Sequence, residues 1–119
     1  MNGPRIDLVR QAALSRYTGD LEWINAREAL RVASDPRNCG FTAPEIRELA
    51  QAWIRGGGEI LCTEEDRSNW RHRRDYYYWI IIEGIDDFPR GLFVEMELTE
   101  ADETDPIVSL LNAHPPTFP

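Results

Sequence analysis

Two histidines, His72 and His114, are the side chains of this chain best suited to move a proton near neutral pH. His72 sits in a cationic run with Arg67, Arg71, Arg73 and Arg74 and no acid between Arg67 and Arg74. Arginines in such a cluster can grip a phosphodiester, with His72 as acid or base beside it. The plainer reading is a solvated loop whose arginines pair with Glu64, Glu65 and Asp66. Directly after the run come Tyr76, Tyr77, Tyr78, Trp79 and three isoleucines. Aromatic rings on a strand face can stack unpaired bases, at about 1–3 kcal/mol per base. They can equally fill a core. Tyr77 and Trp79 are expected to pack, whereas Tyr76 and Tyr78, next to the basic loop, stand between the two roles. His114 closes the last apolar run, two residues after Asn112 on the same predicted face.

Other chemistry is thinner. Glu83, Glu95 and Glu97 can project from a sheet as carboxylates, but alternation makes them the wet face of a strand. Glu83, at the end of an apolar run, is the one expected to be partly buried. Cys39, Cys62, His72 and His114 lack zinc-ligand spacing, so no metal is expected. The Gly56–Gly58 stretch lacks the Gly-Lys-Ser/Thr element of a phosphate loop. No cofactor is implied.

Net charge is −8, which disfavours nonspecific nucleic-acid binding by the whole surface. Every base in the chain is arginine, so no lysine is present to act as a base or Schiff-base former. At 42% hydrophobic and 29% charged, the composition is that of an ordinary globular protein. No apolar run has the length of a bilayer span, and no signal peptide is recognised at the start. A bacterial, cytoplasmic protein with reduced thiols and no membrane association is therefore expected.

The elements that must position these residues divide the chain. A single domain is predicted over residues 1–119, with a helical half at 1–57, a sheet half at 58–114 and a tail at 115–119. Ile6, Val9, Ala13 and Tyr17 suggest a first helix ending at Gly19. Asp20 is read as the cap of a second, with Trp23, Ala26, Leu30 and Ala33 as its apolar stripe. For the third, Thr42 and Glu45 form a capping box, with Pro44 in the first turn and glycines at the end. Four strands follow: "EILC", "DYYYWIIIEG", "LFVEMEL" and "PIVSLLNAH". In the third, Leu92, Val94, Met96 and Leu98 point inward. The class is α+β, with N-terminal helices packed on a curved, mainly antiparallel sheet.

The order "GFTAPEIRELAQAWIRGGGEI", a polar loop, "YYYWIIIEG", "GLFVEMEL" and a last strand ending in "NAHPP" resembles one family over about Asn25 to Pro116. It is similar to the toxin-like domains related to RelE and MqsR in the barnase–RelE ribonuclease superfamily. The resemblance implies metal-independent RNA cleavage, in which the 2′-hydroxyl of the substrate attacks the adjacent phosphate. It implies catalytic residues among His72, Arg74, Tyr78 and His114, and substrate-binding residues among Arg67, Arg71, Arg73 and Tyr76. Its partners would be RNA and a cognate antitoxin. The alternative is a non-enzymatic regulatory or immunity-like module. In it, carboxylates from Asp86 to Asp105 meet a basic protein partner, and an exposed strand edge joins a homodimer.

Overall fold

The computed structural model describes residues 3–64 and 76–116. Three helices, α1 (Ile6–Leu14), α2 (Ala26–Ala33) and α3 (Ala43–Arg55), accompany five strands. These are β1 (Leu21–Trp23), β2 (Leu61–Glu64), β3 (Tyr76–Ile82), β4 (Leu92–Glu100) and β5 (Ile107–His114). The α+β class holds. The sheet has one strand more than expected and runs β1-β5-β4-β3-β2. β2 to β5 form an antiparallel meander, and β1 joins its edge in parallel with β5.

Local chemistry explains most of these elements. Thr42 accepts a hydrogen bond from the Glu45 amide at 3.2 Å, and the Glu45 carboxylate accepts from the Thr42 amide at 2.9 Å. The capping box read from the sequence is thus closed at both donors. The second helix differs from expectation. Asn25, not Asp20, caps it, accepting from the Glu28 amide at 2.8 Å. Leu21 to Trp23 are strand instead, because β5 offers that segment a ladder and a buried seat for Leu21. Leu30, placed on the apolar stripe, is 69% exposed, while Val32 is the buried residue of α2. Tyr17 lies beyond α1 and is exposed.

Alternation along the strands sorts the sheet into two faces. The first carries Tyr78, Ile80, Ile82, Leu92, Val94, Met96, Val108, Leu110 and Ala113. Those side chains form one cluster with Val9, Ala12 and Ala13 of α1, Val32 of α2, and Ile46, Ala50 and Ile54 of α3. Leu98 packs against it from the end of the β4 stripe, so the inward series of that strand is as expected. Arg47 of α3 is buried against β1 and donates from Nε to the Leu21 carbonyl at 2.9 Å. Between β3 and β4, Gly91 has a φ of +91°, and a Cβ there would stand 2.6 Å from Ile81 Cγ2. The turn therefore needs glycine for both its backbone and its clearance. No described helix is long and apolar enough to cross a membrane.

Candidate active site on the second face of the sheet

The opposite face holds the residues with chemical potential, and none of its side chains belongs to the helical core. Register lays them out in rows. Trp79 of β3 pairs with Glu95 of β4, and Glu95 with Asn112 of β5. One step on, Ile81 pairs with Phe93, and Phe93 with His114. In the other direction Glu97 pairs with Ser109, whose hydroxyl is 2.6 Å from that of Thr99.

A β-bulge sets this arrangement. Glu95 pairs with Asn112 but Met96 pairs with Leu110, so Leu111 is an extra residue in β5. In an unbroken strand Leu110, Asn112 and His114 would share one face. With the bulge, Leu110 and Ala113 enter the core, while Asn112 and His114 turn to the Glu95 face.

Rings line one side of the site. Trp79 and Phe93 have centroids 5.8 Å apart with planes tilted by 40°, and Phe93 and His114 are 5.1 Å apart at 32°. The indole nitrogen of Trp79 is buried and meets no hydrogen-bond acceptor among the described residues. His114 Nδ1 lies 2.8 Å from the Pro115 carbonyl. A carbonyl can only accept, so Nδ1 carries the proton and Nε2 is left for other chemistry.

Glu95 and Glu97 correct an expectation. Both were assigned to a wet strand face, yet they are only 8% and 3% exposed. They sit on the central strand of five, and neighbouring strands shield them on each side. Glu83, expected to be the partly buried one, is exposed. It lines a cleft of about 510 Å³ with Phe88, Pro89 and Arg90.

The other candidate residues scatter. Arg67, Arg71, His72, Arg73 and Arg74 lie outside the described residues. Tyr76 and Tyr78 are on the core face, the reverse of the assignment that sent Tyr77 and Trp79 inward. Tyr78 is 3% exposed, and its hydroxyl accepts from the Arg5 amide at 2.8 Å. Burial raises its phenol above the ordinary range, against the opposing pull of that hydrogen bond. A tyrosine so placed caps the approach to α1 and does not meet His114. Glu95, named as a possible carboxylate but given to the wet face, is the residue the sequence reading undervalued. The doublet Leu110-Leu111, interrupting alternation, was the available sign that the strand changes face.

Two further groups approach the end of β5, Asp35 from the corner after α2 and Arg31 from α2 itself. Asp35 is held down to about 2 by Arg37, with a smaller contribution from the charge of His114. Arg31 donates from Nη2 to Asn112 Oδ1 at 3.0 Å. Elsewhere, a cleft of about 320 Å³ is lined by Leu14, Ser15, Tyr17, Asp20 and Asp105. No group of three or more metal-ligating side chains occurs among the described residues. Comparison with family models, with curated proteins and with solved structures gave no match to this chain.

Proposed function

We propose that this chain is a metal-independent endoribonuclease acting on single-stranded RNA, with Glu95 as general base and His114 as general acid. One observation supports the reading most. The two side chains stand on neighbouring strands, on one face, a single ladder step apart. Such diagonal neighbours are roughly 7–8 Å apart. That span admits a ribose and its phosphate between carboxylate and imidazole.

In this reading the Glu95 carboxylate takes the proton from the 2′-hydroxyl. The freed oxygen attacks phosphorus as the bond to the 5′-oxygen breaks. The leaving oxygen collects a proton from Nε2 of the His114 imidazolium, whose Nδ1–H remains on the Pro115 carbonyl. The products are a 2′,3′-cyclic phosphate and a 5′-hydroxyl, so protons and electron pairs balance. Phe93 and Trp79 supply ring surface for a base. Charge on the phosphoryl oxygens requires cations, and the arginine-rich run from Arg67 to Arg74 is their proposed source on its sequence alone.

The test is cleavage of a mixed-sequence single-stranded RNA in EDTA. Glu95→Gln and His114→Ala are each expected to slow it by about 10²–10⁴, the usual worth of a positioned acid or base. Circular dichroism should show both variants folded. Folded wild type that leaves such RNA intact would remove the reading, and unimpaired cleavage by either variant would remove that residue from the mechanism.

A further inference from the structure

We infer that Asn38 is a positioning residue for His114, holding the last peptide of β5 so that the imidazole is presented beside Glu95. The inference rests on the ribonuclease reading for its kinetic consequence, and on geometry alone for the rest.

Asn38 is fully buried at the end of a single 3₁₀ turn, Pro36–Asn38. Its side-chain amide spends both hydrogens on backbone carbonyls. One goes to Val32, near the end of α2, at 2.9 Å. The other goes to Ala113 at 3.0 Å. The Ala113 carbonyl belongs to the peptide whose nitrogen is that of His114, so this bond fixes the plane from which the histidine departs. The amide oxygen of Asn38 is buried and meets no hydrogen-bond donor among the described residues.

The turn is braced by its own contacts. Asp35 accepts from the Arg37 amide at 2.9 Å and pairs with its guanidinium at 2.8 Å. Cys39 follows in the left-handed region, at φ 57°. Asn38 is therefore presented from a braced turn, and it joins the end of β5 to the end of α2. Arg31 holds the side chain of Asn112 from the same corner. The segment from Asn112 to His114 is thus tied to β4 on one side and to the α2 corner on the other.

Asn38→Ala is compared with Val32→Ala. Val32 is also fully buried and loses packing, but its carbonyl stays. A misplacement near 1 Å can cost on the order of 10²-fold in rate. Asn38→Ala is therefore expected to lower kcat by about tenfold to a hundredfold with KM nearly unchanged. Val32→Ala, at a similar loss of melting temperature, is expected to keep kcat. Long-range ¹⁵N–¹H spectra of the ring report His114 without any substrate. Wild type should show the Nδ1–H tautomer, and Asn38→Ala a mixture. Should alanine not fold, Asn38→Ser keeps one donor and is expected to give an intermediate shift in both readings. An unaltered ring spectrum in a folded Asn38 variant, or equal loss of kcat in both alanine variants, overturns the inference. If wild type cleaves no RNA the ribonuclease reading fails by itself, and the ring spectra still decide whether Asn38 orders His114.

Discussion

Asp105 shows how one side chain can set a pH dependence. Its carboxyl is pushed up by the charge of Asp20 above all, then by desolvation, by a hydrogen bond with Asp20 and by Asp102. Asp20 is itself buried and accepts from the Ser15 hydroxyl at 2.6 Å. A group raised in the folded state contributes stability in acid, and loses it as pH rises through the raised value. At neutral pH the pair therefore opposes folding. Asp105→Asn removes one charge and keeps the shape. It should melt higher than wild type at pH 7, and the gap should close as the solution is acidified below the ordinary aspartate range. A gap that persists in acid would show that charge is not the cause. Asp35 works the other way: held down to about 2, chiefly by Arg37, it contributes above the ordinary range and loses that contribution as pH falls toward about 2.

Among the elements, the bulge in β5 carries the sharpest consequence. Leu111 is the surplus residue, buried but outside the main core cluster. Deleting a residue from a strand ordinarily sends everything beyond it to the wrong face. Here deletion of Leu111 removes the irregularity and leaves Asn112 and His114 facing Glu95. The shortened chain should fold cooperatively at reduced stability, and the His114 ring should keep the upfield shift that Phe93, 5.1 Å away, imposes. An unfolded chain, or a histidine without that shift, would count against the bulge. The elements also show what could be read beforehand. The capping box of α3, the four meander strands and the inward series from Leu92 were legible, since each is fixed by neighbours in sequence. The start of α2 was not, because β1 exists only through pairing with β5, some ninety residues away. Nor were the faces of Tyr78 and Trp79. Both are large and aromatic, and which turns inward depends on where α1 and α3 settle. Glu95 escaped for a related reason: alternation predicts polar residues outward, and says nothing about a central strand whose second face is itself sheltered.

At the scale of the molecule, the sheet is closed by its last strand. β5 lies between β1 and β4 and supplies Val108, Leu110 and Ala113 to the core. A chain ended at Asp105 leaves β1 without a ladder and Asn38 without its bond to the Ala113 carbonyl. It should show no cooperative thermal transition by circular dichroism, whereas the full chain should melt cooperatively. A folded product lacking β5 would contradict the topology. The same order has a consequence during synthesis. Helices and the hairpin strands leave the ribosome first, with β1 waiting for a neighbour that is translated after every other strand. Glu95 and His114 thus meet only when translation of the sheet is complete, so an interrupted message would release a chain in which the second face never forms.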